Sequence, residues 1–159
     1  MKRIFCLMLA LGLLLCGCAA GEAGQAQFTF TDDLGREVHL ESEPKRVACL
    51  LGSFAEVWIL AGGEVIAAPD DAWEDLGLSM GEDAVVLGSA KRLSMELLLA
   101  SEPDFILASA NTQQHLQWQD TLEATGIPTA YFNVSDFDDY LRLSLHLPFF
   151  LLVSGRKDG

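Results

Sequence analysis

The chain has 159 residues and a formal net charge of −13, from ten Lys and Arg against 23 Asp and Glu. This acidic balance repels phosphate backbones, and no basic stretch of sequence interrupts it, so the composition excludes a nucleic-acid-binding function. Hydrophobic residues make up 50% of the chain, which is enough for one domain with a buried core.

The chain begins with the pattern of an export signal. Lys2 and Arg3 precede an uncharged run over residues 4–20. Its most apolar part, residues 4–15, would span about 18 Å as a helix against roughly 30 Å for a hydrocarbon core, which disfavours a permanent transmembrane anchor. We therefore expect residues 1–17 to be a signal peptide that is removed on export.

The end of this run, Leu15-Cys16-Gly17-Cys18, resembles the bacterial lipobox. In a lipobox the cysteine is diacylated and becomes the mature N-terminus, which makes Cys18 the expected lipidation site. One acyl chain gives a membrane partition constant of about 10⁴ M⁻¹, and two chains together retain a protein far longer. Cleavage after Ala20, without a lipid, is the alternative.

The residues that follow predict a tether and then a folded domain. Residues 18–27 are mainly Gly, Ala, Gln and Glu, which is typical of a flexible linker. The folded part is expected to begin near Phe28. Of the four cysteines, Cys49 alone then remains unmodified, and we expect a small core residue there and no disulfide.

A β-hairpin is predicted at the start of the folded part. Residues 28–31 and 37–40 alternate apolar and polar side chains, and residues 33–36 between them have turn chemistry. After Pro44, residues 47–51 form a continuous apolar run, which indicates a strand buried on both faces.

Helix and strand patterns then alternate to the end of the domain. Ser53 and Glu56 form a capping box, which predicts a helix with Ser53 as its N-cap. The remaining predicted strands are residues 65–68, 85–87, 105–108 and 129–132, and the remaining predicted helices are residues 95–100, capped by Ser94, and 113–125, ended by Gly126. This alternation predicts an α/β fold, a Rossmann-like open parallel sheet with helices on both faces, preceded by the hairpin.

The C-terminal segment gives conflicting signals. Residues 137–142 begin as a helix, but residues 141–147 alternate leucine with polar residues, and residues 148–152 add apolar surface. Disagreement between local patterns counts against a well-formed terminus. We expect residues 144–159 to be irregular or the truncated start of a further segment.

Ligands of open parallel sheets bind beyond the carboxyl ends of the strands. The loops predicted there lack the nucleophile with a base, the metal cluster or the phosphate cradle that an enzyme would need. The histidines His39, His115 and His146 are far apart and are expected at the surface, not as metal ligands. We therefore expect a binding surface with no catalytic residue and no metal.

The element order and four short sequences resemble the substrate-binding proteins of bacterial ABC importers for ferric siderophores, haem and cobalamin. The sequences are DDLGR at 32–36, PKRV at 44–47, SMELLLASEPDFI at 94–106 and TGIP at 125–128. The resemblance covers residues 28–143. It implies a protein of two Rossmann-like lobes joined by a long helix, of which this chain supplies the N-terminal lobe.

The resemblance also implies a function without catalysis and without a resident cofactor. Such a protein captures an iron chelate, either a siderophore or haem, or cobalamin outside the cell and delivers it to a membrane permease. It would be lipid-anchored to the outer face of the cell membrane or lie in the periplasm. Because the chain ends at Gly159, where the connecting helix should run, we expect a truncated or frameshifted reading frame or a fragment, with weak or absent ligand affinity.

Several residues are expected to contact the ligand at the carboxyl ends of the strands. They are Ser53, Trp73, Lys91, Arg92 and Asn111. Trp73, an exposed indole in a loop, offers rigid apolar area for a flat ligand, and the two cations suit an anionic chelate or a carboxylated macrocycle. A solvated surface pair is the alternative for Lys91 and Arg92, and Trp118 is expected in the core.

Glu96 is the position that matches the family's permease-docking residue. In that family an acidic residue at the start of a helix docks into arginines of the permease. Glu96 also lies in the first turn of its predicted helix, where a carboxylate complements the helix dipole by about 0.3 to 1 kcal/mol. The two roles are compatible.

Two other classes of protein also fit the pattern. An exported lipoprotein interaction module would use the apolar residues 149–152 to pair with another chain. A small exported enzyme on a flavodoxin-like sheet would need a phosphate site for its cofactor, and the sequence offers none.

Overall fold

A computed structural model of the chain describes residues 28–135 and residue 139. The predictions for the signal peptide, for Cys18 and the tether, and for residues 144–159 lie outside these residues. Within the described part, no helix combines the length and the apolar character needed to cross a membrane.

The predicted N-terminal hairpin is confirmed. Strands β1 (Phe28–Thr31) and β2 (Glu37–Leu40) pair antiparallel. In the turn, Oδ1 of Asp32 accepts hydrogen bonds from two backbone N–H groups, at 2.9 and 3.0 Å. Gly35 adopts φ 77°, a left-handed conformation that a glycine reaches without steric cost.

The rest of the described chain alternates strands and helices. In chain order the elements are β3 (Val47–Cys49), α1 (Gly52–Leu60), β4 (Val65–Ala68), α2 (Asp71–Glu74), β5 (Val85–Val86), β6 (Gly88–Ser89), β7 (Arg92–Leu93), α3 (Met95–Ala100), β8 (Phe105–Ser109), α4 (Gln113–Gln117), α5 (Gln119–Thr125) and β9 (Thr129–Phe132).

Five strands of the described part form one parallel sheet in the order β5-β4-β3-β8-β9. The chain forms β3 at the centre of the sheet and then adds β4 and β5 on one side. It returns to the centre and adds β8 and β9 on the other side. The winding therefore reverses between β3 and β8, and the loops that follow these two strands diverge to leave a crevice. The predicted α/β Rossmann-like architecture is confirmed.

Alternate residues of the central strands face two separate cores. Val47 and Cys49 face the core that is completed by α1 and the hairpin, whereas Ala48 and Leu50 face the core that contains side chains of α3 and α5. All four are fully buried. Burial raises the pKa of the Cys49 thiol, as expected for the predicted core cysteine. Trp118 packs, partly buried, against the second core.

The turn of the hairpin covers the outer edge of β9. Oδ2 of Asp32 accepts a hydrogen bond from the N–H of Tyr131 at 3.2 Å, and the N–H of Asp33 donates to the carbonyl of Tyr131 at 2.9 Å. Oδ2 of Asp33 accepts from the N–H of Asn133 at 2.7 Å. An edge strand otherwise presents unpaired backbone groups to other chains, and here the turn occupies them.

The predicted cap at Ser53 is wrong, whereas the cap at Ser94 is confirmed. Helix α1 begins at Gly52, and its N-cap is the extended residue Leu51, without a side-chain hydrogen bond. Ser53 therefore lies inside the first turn. At α3, Oγ of Ser94 accepts a hydrogen bond from the N–H of Leu97 at 3.2 Å.

The helix predicted over residues 113–125 is two helices, α4 and α5, divided at Trp118. The N–H of Trp118 donates to the carbonyl of His115 at 3.1 Å, a contact three residues back instead of four, which tightens the turn. The indole then reaches the second core. Gly126, at φ 73°, ends α5 as predicted.

Two predicted loops and one predicted surface residue also differ in the structure. The loop after β4 contains the short helix α2, and the loop after β5 folds into the antiparallel hairpin β6-β7. Gly88 takes φ 105° there, and a Cβ would lie 2.7 Å from the carbonyl oxygen of Arg92. His115 is fully buried, not solvated, because α4 packs it against the end of β8.

Candidate ligand-binding edge

The predicted ligand residues lie at the end of the sheet where the parallel strands finish. We call the loops that follow β3, β4, β5, β8 and β9 the carboxyl edge. Ser53 follows β3 and Asn111 follows β8, so these two flank the crevice where the winding reverses. Trp73, Lys91 and Arg92 follow β4 and β5 on one side of it.

The helices α1 and α2 begin in close contact beside Ser53. A Cβ on Gly52 would lie 2.7 Å from Oδ1 and 3.0 Å from Cγ of Asp71, and 3.1 Å from the backbone nitrogen of Ala72. Only a residue without a side chain allows this approach. Gly52 therefore sets the distance between the half-buried Ser53 and the helix that carries Trp73.

The carboxylate of Asp71 is poorly compensated in this contact. Its Oδ1 is buried and has no hydrogen-bond partner among the described residues. Burial raises the pKa of the carboxyl group, the negative charge of Asp70 raises it further, and the N–H of Ala72 opposes the shift. The carboxyl edge thus contains a carboxylate whose burial is only partly offset by hydrogen bonds.

Trp73 lies on α2, not in a loop, and offers less surface than the sequence indicated. Its side chain is half-buried and packs against the core that contains α1. Part of the indole remains at the surface, where a flat ligand can contact it. The expectation of a fully exposed indole is corrected accordingly.

Lys91 and Arg92 form the tip of the β6-β7 hairpin. Lys91 is in the turn and Arg92 begins β7, and both are exposed. Neither takes part in an ion pair among the residues that the structure describes. Two adjacent cations are therefore available to an anionic ligand on an otherwise acidic protein.

Asn111 joins the loops that follow β8 and β9. Its backbone N–H donates to Oγ of Ser109 at 3.1 Å, and its Nδ2 donates to Oδ1 of Asn133 and, at 3.0 Å, to Oγ of Ser135. Asn133 and Ser135 were not among the predicted site residues. Their position just beyond β9, the neighbour of β8, is the signal that could have identified them.

Glu96 lies at the same edge of the sheet, beyond β5. The N–H of Ser94 donates to the carbonyl of Leu87 at 2.8 Å, so α3 begins next to the end of β5. Glu96 is exposed in the first turn of α3, beside Leu97, which is 43% exposed. A partner protein can reach this carboxylate together with an apolar side chain.

Two open grooves lie at the opposite edge of the sheet. One, of about 720 Å³, includes residues from the starts of β3, β4 and β5, and the other, of about 520 Å³, is lined by residues that precede β3, β8 and β9. We favour the carboxyl edge as the ligand site because it gathers the loops on both sides of the point where the winding reverses. The volumes alone carry no chemical selectivity.

The described residues contain no group of three His, Cys, Asp or Glu side chains that could hold a metal ion. His39 is exposed and lies near Glu37, with 3.5 Å between Nε2 and Oε2. His115 is fully buried, and its Nδ1 accepts a hydrogen bond from the N–H of Ser109 at the end of β8. Within the described part of the chain, the carboxyl edge provides amides, hydroxyls, two cations, part of an indole and the carboxylates of Asp70 and Asp71.

The fold is similar to part of the fold of periplasmic binding proteins, and three solved structures illustrate the likeness. Staphylococcus aureus SirA, complexed with staphyloferrin B, has a TM-score of 0.58 and 20% identity over 80% of this chain and 46% of that chain. A TroA-like periplasmic binding protein from Xylanimonas cellulosilytica has a TM-score of 0.60 and 20% identity, over 81% and 46%. The periplasmic heme-binding protein RhuT from Roseiflexus sp. RS-1 has a TM-score of 0.50 and 18% identity, over 67% and 43%.

This chain spans less than half of the length of each of these three structures. At these identities the likeness establishes the fold. No protein-family model matches the chain. A search of curated proteins also gives no match.

Proposed function

We propose that the chain forms one lobe of the solute-binding component of an ABC importer. It captures an iron chelate, either a siderophore or haem, or cobalamin outside the cell, and delivers it to a membrane permease. The observation that carries the proposal is the five-stranded parallel sheet with polar and cationic loops gathered at its carboxyl edge, on a fold shared with siderophore-binding and haem-binding structures.

The chemistry of the carboxyl edge supports an anionic ligand with flat or aryl parts. Lys91 and Arg92 supply positive charge, and Ser53 and Asn111 supply a hydroxyl and an amide. Trp73 supplies apolar area. Binding of this kind needs shape and charge and no covalent step, so the chain acts without catalysis.

A single lobe supplies one wall of the binding site. Small-molecule sites bury 70–90% or more of the surface of a drug-sized ligand, which a single open wall does not achieve. We therefore expect this chain alone to bind such ligands weakly. Isothermal titration calorimetry that gave micromolar or tighter binding of haemin, cyanocobalamin or ferric staphyloferrin B would contradict this expectation.

Matched lysine variants test whether the carboxyl edge is the site. Lys91 lies at the carboxyl edge, and Lys45, also exposed, precedes β3 at the opposite edge. In titrations with ferric staphyloferrin B at low salt, Lys91→Gln should weaken binding and Lys45→Gln should not. Equal effects of the two variants would indicate general charge attraction and would reject the site.

Two further residues, Glu96 and Cys18, serve delivery to the permease and attachment to the membrane. Glu96 docks on arginines of the permease, and the exposure of its carboxylate in the first turn of α3 supports this role. Cys18 carries the diacylglycerol that keeps the exported chain at the membrane. Mass spectrometry of the native polypeptide should find a thioether-linked lipid at Cys18, and an unmodified thiol there would reject the anchor.

A further inference from the structure

The short helix α4 connects two loops of the carboxyl edge. Two consecutive residues of this helix, Gln114 and His115, make hydrogen bonds to different parts of the chain. Gln114 contacts the β6-β7 hairpin, and His115 contacts the end of β8. One helix thus holds the loop with Lys91 and Arg92 on one side and the loop with Asn111 on the other.

The amide of Gln114 pairs with both backbone groups of Leu93. The N–H of Leu93 donates to Oε1 of Gln114 at 3.2 Å, and Nε2 of Gln114 donates to the carbonyl of Leu93 at 3.1 Å. This is the pattern that a neighbouring strand would provide. Because Leu93 is buried, at 6% exposure, a lost partner would leave its backbone groups unsatisfied.

The imidazole of His115 fixes the other loop. Its Nδ1 accepts a hydrogen bond from the N–H of Ser109 at 3.0 Å, and Oγ of Ser109 accepts one from the N–H of Asn111 at 3.1 Å. The hydroxyl of Tyr131 donates to the carbonyl of His115 at 3.2 Å, which ties α4 to β9 as well. Helix α4 is therefore anchored in the sheet independently of the hairpin.

The two-strand hairpin is held at its base by backbone hydrogen bonds and by the side chain of Leu93, which is buried in the second core. Strands β6 and β7 have two residues each and pair only with each other in the described sheet topology. Its further backbone contacts, at Gly88 and Ser94, lie at its base, away from the two cations. The amide of Gln114 makes the hydrogen bonds that join the cation-bearing strand β7 to the anchored helix.

We infer that Gln114 is a positioning residue for ligand binding, which holds the hairpin with Lys91 and Arg92 at a set place relative to Asn111. The inference rests on the proposed function, because that function assigns these three residues to the ligand. Fixed cations bind an anionic chelate better than mobile ones, since ordering them on binding costs free energy.

The first test measures whether Gln114 orders the hairpin. Gln114→Met keeps the side-chain length and removes both hydrogen bonds, and Gln113→Met makes the same change at the exposed neighbouring residue. Amide hydrogen exchange followed by nuclear magnetic resonance should show exchange at Leu93 about tenfold faster or more in Gln114→Met. Gln113→Met should match the wild type. Unchanged exchange at Leu93 in Gln114→Met would overturn the inference.

A second variant keeps the test decisive if Gln114→Met folds poorly. A protonated carboxyl group both donates and accepts, as the amide does, whereas a carboxylate only accepts. In Gln114→Glu the carboxylate still accepts from the N–H of Leu93, but its second oxygen faces the carbonyl of Leu93 and repels it. This repulsion should displace the side chain, so protection of Leu93, corrected for intrinsic exchange, should fall as pH rises through the titration of the new carboxyl group. The wild type should show no such step. A Gln114→Glu chain without the step would overturn the inference.

The last measurement separates the inference from the proposed function. Titration with ferric staphyloferrin B should show several-fold weaker binding for Gln114→Met and unchanged binding for Gln113→Met. A wild-type chain that responds to none of ferric staphyloferrin B, haemin and cyanocobalamin at millimolar concentration would overturn the proposed function and the ligand role of Gln114 together. Faster exchange at Leu93 with unchanged chelate affinity would overturn only the positioning role.

Discussion

The guanidinium of Arg36 contacts the carboxylate of Asp32 through two nitrogens, with Nη2 at 2.7 Å and Nε at 3.1 Å from Oδ2. Nη2 also donates to the carbonyl of Thr129 at 2.9 Å, and Cζ lies 4.5 Å from the centroid of the Tyr131 ring. The side chain of Asp32 is fully buried. The pair therefore joins the hairpin turn to β9, which is a physical reason for the DDLGR sequence.

Replacement of Arg36 should destabilise the fold. Arg36→Met leaves the buried carboxylate of Asp32 without its cation, and we expect the free energy of unfolding to fall by about 2 to 4 kcal/mol. Urea unfolding followed by circular dichroism measures this change. Lys45→Met, at an exposed lysine, is the control and should stay within about 0.5 kcal/mol of the wild type. Similar stability of the two variants would mean that the pair does not hold the turn to β9.

Gly52→Ala should separate α1 from α2. The added Cβ would lie 2.7 Å from Oδ1 of Asp71, so the helices must shift, at a cost of about 1 to 3 kcal/mol. Gly81→Ala adds a methyl group where no atom lies within 4 Å and should leave stability nearly unchanged. Thermal unfolding compares the two variants. A Gly52→Ala protein as stable as Gly81→Ala would show that the contact is not tight.

His115 should make stability depend on pH below neutrality. Burial lowers the pKa of His115 from its ordinary value of 6.5 to about 4. Because its Nδ1 accepts from Ser109, the neutral ring carries its proton on Nε2, and a second proton would oppose that contact. Between pH 4 and pH 6.5 the unfolded chain therefore binds more protons than the folded chain does. The contribution of His115 to the free energy of unfolding is therefore fully present above pH 6.5 and is lost as pH falls towards 4.

The contribution of His115 to the slope of the free energy of unfolding against pH is at most about 1.4 kcal/mol per pH unit. Urea unfolding between pH 7 and pH 4 measures it. His115→Gln keeps an acceptor for Ser109 but does not titrate, so its stability should depend less on pH in this range. His39→Gln, at an exposed histidine, should keep the wild-type slope. The account of His115 fails if the two variants have equal slopes.

Charge reversal at Glu96 should separate ligand binding from delivery. The test needs a two-lobed protein, in which this lobe is joined to the second lobe that the resemblance implies. In that protein, Glu96→Lys should abolish uptake of the chelate and leave the affinity for the chelate intact. Asp120→Lys is a matched control, because Asp120 also lies in the first turn of a helix, α5. Uptake assays in cells with the cognate permease measure the effect. Normal uptake with Glu96→Lys would refute the docking role.

Local patterns were sufficient to predict the architecture. The hairpin, the strands at residues 65–68 and 129–132 and the stop at Gly126 all depend on alternation or on one backbone conformation that neighbouring residues specify. The cap at Ser53 failed because β3 leads into α1 without an intervening turn, so Leu51 takes the N-cap position. The break at Trp118 depends on packing of its side chain against the second core, which a helical pattern does not reveal.

The site was less predictable than the fold. Asn111 was predicted as a ligand residue because it follows a strand, but its hydrogen-bond partners Asn133 and Ser135 come from a different loop, more than 20 residues further on. The contact of Gln114 with Leu93 likewise joins segments that only the folded sheet brings together. Such residues are found from the strand order, not from local sequence.

The most direct test of the central claim is a titration of the isotope-labelled chain with gallium(III) staphyloferrin B, a diamagnetic analogue of the ferric chelate. Amide shifts should be weak, saturable and confined to the carboxyl edge, at Ser53, Lys91, Arg92 and Asn111. Shifts centred on the opposite edge, near Gly81 or Asp104, would contradict the claim that the carboxyl edge of this lobe presents one wall of a chelate-binding site.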